Sequence, residues 1–189
     1  AAKSGIAAVI HKATQGTGFA DSKFSTNRAK ALDARLLFGS YHFGTGDDAT
    51  DQAEFYLRTV GPRPGELLAL DFEANTTPGG SDMTLEGARA FVSVIHDRIG
   101  RWPVLYAGGF LKDALGGQPD PVLTNCPLWL AQYSKAPVLP FGWSQFMLWQ
   151  WTDGPSRPAA PAHPSTTGSF RRNLFSSRAA IPLAVAGTY

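Results

Sequence analysis

Asp71 and Glu73 stand two residues apart at the end of the apolar run Glu66-Leu67-Leu68-Ala69-Leu70-Asp71-Phe72-Glu73. On an extended strand, residues i and i+2 point to one face, so the two carboxyls project together from Cα atoms about 7 Å apart. Two acids this close in a cleft do not both ionise freely. Like-charge repulsion and partial desolvation raise the pKa of one, which can then stay protonated and donate. Cleavage of a glycosidic bond uses such an acid at the leaving oxygen, while a second group stabilises the charge that develops on the sugar. The same spacing also suits two solvated acids beside a loop, or oxygen ligands for a magnesium ion.

A strand that reads as a continuous apolar run belongs to a sheet buried on both faces, and α/β proteins place their sites at the carboxyl ends of such strands. The rest of the chain supplies more of them. Ile6 to His11 reads as a strand closed by Thr14-Gln15-Gly16, and Asp21 or Ser22 can cap a helix that runs to about Arg35. Leu36 to Phe43 is a second strand, and Asp47 or Asp48 caps a helix through Val60. Pro62 and Pro64 separate that helix from the Leu67 to Phe72 strand, and a Gly/Pro-rich loop covers Asn75 to Ser81. Thr84 opens an amphipathic helix with Leu85, Ala88, Phe91, Val92, Ile95 and Ile99 on one face, stopped by Gly100. Val104 to Ala107 is a strand, Phe110 to Leu115 a short helix, and Leu128 to Tyr133 and Phe146 to Trp151 are strands with no room for a full helix between them.

Alternating strands and helices predict right-handed crossovers and a parallel sheet, either open and doubly wound or closed. Several strands end in polar or aromatic residues: Lys12, Tyr41 with His42, Asp71 with Glu73, Tyr106, Gln132 with Tyr133, and Gln150 with Trp151. Many strands contributing to one mouth favour a barrel. Pro155 to Pro164 must be an extended loop, Ser169 to Phe175 could form a last short strand, and the apolar tail through Ile181 and Leu183 has no form that periodicity specifies.

With 189 residues, 43% of them hydrophobic, the chain is long enough for a proper core, and a single domain over 1–189 is expected. Its 17 basic and 15 acidic residues are spread without a block of like charge, so no nucleic-acid partner is implied. Cys126 is the only cysteine, which excludes an intrachain disulfide and suggests a buried, inert thiol. His11, His42, His96 and His163 lack the paired spacing of zinc sites, and neither a metal nor a cofactor is expected. No Gly-x-Gly-x-x-Gly follows a strand, which lowers the nucleotide readings. No apolar stretch approaches the roughly 18 residues of a membrane span, so no membrane insertion is expected. Ala1 to Gly5 has no apolar leader, and export by another route, or a leader outside this numbering, is expected.

Taken in order, these pieces resemble the glycoside hydrolase family 25 lysozymes, the Chalaropsis-type muramidases. His11-Lys12-Ala13-Thr14-Gln15-Gly16 resembles the family's Lys-Ala-Thr-Glu-Gly strand end, and Phe19 to Phe24 the segment that follows it. Gly39-Ser40-Tyr41-His42-Phe43 is similar to its Gly-x-Tyr-His-Phe strand, Leu70 to Glu73 to its Asp-x-Glu strand, and Leu105-Tyr106-Ala107-Gly108 to its Tyr-Ser/Thr-Gly strand. Leu128 to Tyr133 and Leu148 to Trp151 resemble its later strands. The resemblance implies an irregular (β/α)5β3 TIM-like barrel. It also implies hydrolysis of the β-1,4 bond between N-acetylmuramic acid and N-acetylglucosamine in peptidoglycan by a protein that acts on the bacterial cell wall, secreted or phage-released. By that resemblance Glu73 is the general acid. Asp71 orients or stabilises charge, polarising the acetamido group of the substrate if that group serves as nucleophile, and Tyr41 then hydrogen-bonds the developing oxazolinium ring. Tyr106, Trp129, Tyr133 and Trp151 are candidates for sugar stacking or for core packing, and Gln132 and Gln150 for hydrogen bonds to hydroxyls or acetamides or to buried backbone.

Two features depart from the family pattern. Its first strand, with an Asp in an Asp-x-Ser context, is expected to be absent, leaving the barrel incomplete there with unpaired edges. In the late Asp-Arg-Asn-x-Phe segment Arg171 takes the acid's position, and a guanidinium near Glu73 would lower its pKa. The alternative to a hydrolase is therefore a non-catalytic peptidoglycan-binding module with the same barrel. Peptidoglycan glycan strands are the expected partner of either, and a monomer is the expected state.

Overall fold

The computed structural model describes residues 7–134, 136–151 and the backbone of 183–186. His163, Arg171, the Pro155–Pro164 loop and the Ser169–Phe175 segment lie outside the described residues. Along the chain run β1 (Ala8–Gln15), β2 (Phe19–Ala20), α1 (Phe24–Asp33), β3 (Leu37–Phe43), α2 (Ala49–Val60) and β4 (Leu67–Phe72). They are followed by α3 (Leu85–Ile99), β5 (Val104–Ala107), α4 (Gly109–Leu115), a 3-10 turn at Leu123–Asn125, β6 (Leu128–Ala131), β7 (Leu148–Gln150) and β8 (Leu183–Ala186).

The helices begin and end on recognisable chemistry. Asp48 caps α2 by accepting from the Asp51 amide at 2.9 Å, and Thr84 caps α3 by accepting from Gly87 at 2.9 Å. Gly100 closes α3 with φ +70°, a left-handed conformation in which a Cβ would be strained. At α1 the expected cap differs. Lys23 is the N-cap residue without a side-chain bond, and Asp21 instead accepts from the Lys23 amide at 2.8 Å, closing the turn just before the helix.

One eight-stranded sheet forms, in the order β2-β1-β3-β4-β5-β6-β7 with β8 beside β1. Apart from the antiparallel β1–β2 pair, every pairing is parallel, and α1, α2 and α3 link successive strands. The outer edge of β1 is not bare: β8 covers Ala8 to His11 and β2 covers Thr14 and Gln15. Among the described residues β8 itself pairs with β1 alone, so the unpaired edge expected at this end lies on β8. Among the described residues β7 has one neighbour, so the pairings give a mixed α/β sheet that does not close into a ring.

Strand parity divides the core. Leu68, Leu70 and Phe72 of β4 join Phe38, Phe91, Val92 and Ile95 on the face covered by helices. Leu67 and Ala69 join Ile10, Tyr41, Val104, Tyr106 and Trp129 on the other. Buried polar groups are tied down. His42 donates from Nε2 to Gln52 Oε1 at 3.0 Å and accepts at Nδ1 from Thr14 at 2.8 Å, while burial pushes its pKa down to about 4, so it stays neutral. Cys126 is buried as expected, and burial pushes its thiol up to about 12, which leaves it unreactive.

At the start of β4, buried Arg28 of α1 grips Glu66 with two guanidinium nitrogens, Nε at 2.8 Å from Oε1 and Nη2 on Oε2, and donates to the carbonyls of Val60 at 2.7 Å and Gly61 at 3.2 Å. Helix α1, the end of α2 and the residue just before the acid-bearing strand are thus locked together.

Candidate active site

Asp71 follows Leu67 and Ala69 on the inner face of β4, and Glu73 continues the same parity one step past the strand end. Neighbouring strands bring more groups to this level. Asp71 is in register with Phe43 of β3 and Tyr106 of β5, Tyr106 with Trp129 of β6, and Lys12 of β1 with Tyr41 of β3. The strand-end residues of the inner face therefore converge because the sheet is parallel and its register is nearly level.

Asp71 is 7% exposed, and its Oδ1 has no hydrogen-bond partner among the described residues. Burial holds its carboxyl well above the ordinary range, the charge of Glu73 pushes it further, and Lys12 opposes both. Glu73 is partly buried, and burial raises its carboxyl too, again against Lys12. Each acid is thus held toward its protonated form, and the first ionisation makes the second harder. The Tyr106 phenol is raised beyond its normal range by burial and then by the two acids, so it remains a neutral donor. Its hydroxyl meets that of Tyr133, which in turn accepts from Gln150 Nε2 at 3.1 Å. A line of hydroxyls and an amide thus runs from the acids across β5, β6 and β7.

The other sequence-derived candidates separate by face and depth. Tyr133 is 53% exposed, an open aromatic surface at the rim. Trp129, at 2%, lies beneath it as part of the inner core, edge-on to Tyr106 with centroids 4.7 Å apart, and its indole N–H has no partner among the described residues. Tyr41 is likewise buried on the inner face, and Trp151 is partly buried just past β7. Gln132 lies on the opposite face from Tyr133. Its Oε1 accepts from Lys112 of α4 at 2.8 Å and from the Val138 amide at 3.1 Å, and its Nε2 donates to Ser134 at 2.8 Å, so it orders the loop after β6.

Lys12 is the residue that sequence reading underrated, marking it only as a polar strand end. It is 8% exposed and inward-facing, and the signal was parity with Ile10 within an otherwise apolar run. The register shift between Lys12 and Thr14 had no sequence signature.

A raised folded-state pKa has a consequence for stability. An acid that binds its proton more tightly when folded leaves stability intact below its unfolded pKa and removes it as pH rises through the folded pKa. Asp71→Asn should therefore unfold at a temperature similar to the native chain near pH 4 and at a distinctly higher one near pH 8. A gap between the two proteins that stays constant across that range would contradict the burial that raises the Asp71 carboxyl.

The comparisons with known proteins agree on a single family. The family described as Glycosyl hydrolases family 25 matches residues 1–159. Lysozyme M1 of Streptomyces globisporus is 27% identical over 197 residues, a match covering 97% of this chain and 64% of that protein. The chain thus spans just under two thirds of that relative's length. The N,O-diacetylmuramidase of Chalaropsis sp is 28% identical over 173 residues, covering 79% of each. Among solved structures, the muramidase from Trichobolus zukalii superposes with a TM-score of 0.71 at 31% identity, over 80% of this chain and 79% of that one.

Proposed function

Since this chain belongs to glycosyl hydrolases family 25, we propose that it is a peptidoglycan hydrolase, cleaving the β-1,4 bond between N-acetylmuramic acid and N-acetylglucosamine. The observation that carries this reading is the Asp71/Glu73 pair, two carboxyls on one inner face at the carboxyl end of β4, each raised by burial. The relatives named above as a lysozyme and muramidases supply the substrate class.

In this reading Glu73, the more exposed acid, protonates the leaving oxygen as the glycosidic bond breaks. The acetamido oxygen of the substrate attacks the anomeric carbon, giving a cyclic oxazolinium ion in place of a sugar ester on the enzyme. Asp71 receives the acetamido N–H and offsets the positive charge of that ring, and Tyr41 supplies a hydroxyl to it. The Glu73 carboxylate then takes a proton from water as the water opens the ring, which restores the acid and retains the anomeric configuration. Tyr133 offers its exposed ring to a sugar face, with Gln150 and Tyr106 holding its hydroxyl. Trp129 and Trp151 extend the aromatic surface, and Gln132 shapes the loop below it.

The sheet is read as the family's irregular (β/α)5β3 barrel within one domain spanning 1–189, acting on the bacterial cell wall as a monomer. Among the described residues no helix is long and apolar enough to cross a membrane. The deciding experiment is to incubate the purified chain with insoluble peptidoglycan and identify the new ends. Reducing N-acetylmuramic acid termini are the expected product. Retention of the protein on peptidoglycan with no new reducing ends would replace this reading with that of a binding module.

A further inference from the structure

The acid pair has a cation beside it whose role the hydrolytic scheme leaves open. Lys12 is almost wholly buried, yet among the described residues no ion pair engages it. Its ammonium donates to Gln15 Oε1 at 2.7 Å and lies 5.0 Å from the ring centroid of Phe43 and 5.7 Å from that of Phe19. All three partners are neutral. A carboxylate in direct contact would largely cancel the charge, whereas an amide oxygen and two ring faces hold the ammonium in place and leave its field intact. Phe43, one of the two rings, is in register with Asp71 on the next strand. Burial draws the Lys12 pKa below its ordinary value, Asp71 and Glu73 raise it against that burial, and Lys12 in return lowers the carboxyls of both.

We propose that Lys12 is a positioning residue that keeps the Asp71/Glu73 pair at one negative charge near neutral pH, acting through space on the acids. This rests on the glycosidase reading of the pair and supplies what that reading needs, a resting state with one proton to donate. The charge balance gives the reason. With two protons on the pair the buried group carries +1, with none it carries −1, and with one it is neutral, the state a low-dielectric site favours. The other titratable groups facing this cluster do not upset the balance. Asp21, in the turn after β2, acts weakly on Lys12; His42 of β3, on which Lys12 also acts, is held neutral by burial; Tyr106 of β5 is raised by burial and stays a neutral donor; Tyr41 of β3 and Tyr133 after β6 bring phenols; no second cation among the described residues acts on either acid.

The test is the pH profile of reducing-end release from peptidoglycan by the full chain, its Lys12→Met variant and its Lys12→Arg variant. Loss of the cation should move both limbs of the Lys12→Met profile upward by about one to two pH units, the size expected for a buried charge acting on a nearby acid pair. Activity on the acidic side then falls about tenfold or more and is recovered at higher pH, while Lys12→Arg keeps the native profile. A Lys12→Met rate lowered equally at every pH would show a purely structural lysine and overturn the inference. Should Lys12→Met fail to fold, carboxyl carbon shifts of the native chain labelled at Asp and Glu decide the matter. One proton retained by Asp71 and Glu73 together at about pH 7 supports the inference, and both acids ionised by about pH 6 overturns it. If the native chain releases no reducing ends, the hydrolytic reading fails, and the role of Lys12 is then decided by whether the carboxyl shifts of the labelled pair titrate at higher pH in Lys12→Met than in the native chain.

Discussion

Replacing Glu73 with glutamine should cut the release of reducing ends from peptidoglycan by about 10²–10⁴-fold, the range over which a positioned general acid contributes. The substitution keeps shape and hydrogen-bonding capacity and removes only the transferable proton. Its effect on stability separates chemistry from folding. Burial already disfavours the ionised form of Glu73, so a neutral isostere should leave the unfolding temperature at neutral pH unchanged or slightly higher. A variant with normal turnover would remove Glu73 from the mechanism. A variant that is inactive and also strongly destabilised would show that the carboxyl is needed for structure, and the assignment of a catalytic acid would not follow from it.

The largest loss of stability is expected at the other end of the same strand. Arg28→Ala should cost about 3–5 kcal/mol in urea unfolding, because it leaves the buried Glu66 carboxylate without its cation and with only the Arg63 amide donating to it at 3.1 Å. The guanidinium also satisfies the carbonyls of Val60 and Gly61, so the loss extends to the end of α2. Removing both charges in an Arg28→Met, Glu66→Leu double variant should recover much of the loss, since the desolvation penalty of the two ions disappears with their attraction. Glu66 precedes β4 and the acid pair ends it, so the folded fraction of either variant should retain its hydrolytic rate. A cost below about 1 kcal/mol for Arg28→Ala would place this pair among ordinary surface contacts.

Much of the architecture was legible because its signals are local. The caps at Asp48 and Thr84 and the glycine stop at Gly100 depend on residues within one turn, and each is used as the sequence suggests. The extent of β1 was less legible. The strand runs on to Gln15 because His42 and Phe43 of β3 offer partners to Thr14 and Gln15, a pairing set by residues nearly 30 positions away. The two-residue strand β2 exists only because it folds back on Thr14 and Gln15. The late strand β8 has no periodicity of its own to announce it, and is defined by its pairing to β1.

The candidate site was legible to the same degree. The i, i+2 spacing of Asp71 and Glu73 predicts that both acids share one face, and in the folded chain the charge of Glu73 acts on Asp71. Grouping Gln132 with Tyr133 ignored the same rule. Adjacent residues of extended chain face opposite ways, and just past β6 Gln132 bonds Lys112 of α4 while Tyr133 meets Tyr106 and Gln150. Trp129 illustrates a different limit, because an aromatic at a strand end reads alike whether it forms an open platform or a floor, and only its 2% exposure distinguishes them.

By itself, then, the sequence determined the order of strands and helices, the caps that bound the helices, and the face shared by the two acids, since periodicity and short-range hydrogen bonding act within a few residues. Only the tertiary structure decided that Lys12 lies close enough to act on those acids, that Asp71 is deep enough for burial to raise its carboxyl, and that β8 pairs with β1. Burial and Coulomb attraction depend on distance through space, and residues far apart in sequence, 12 and 41, 11 and 186, 43 and 71, become neighbours in this sheet only when the strands pair.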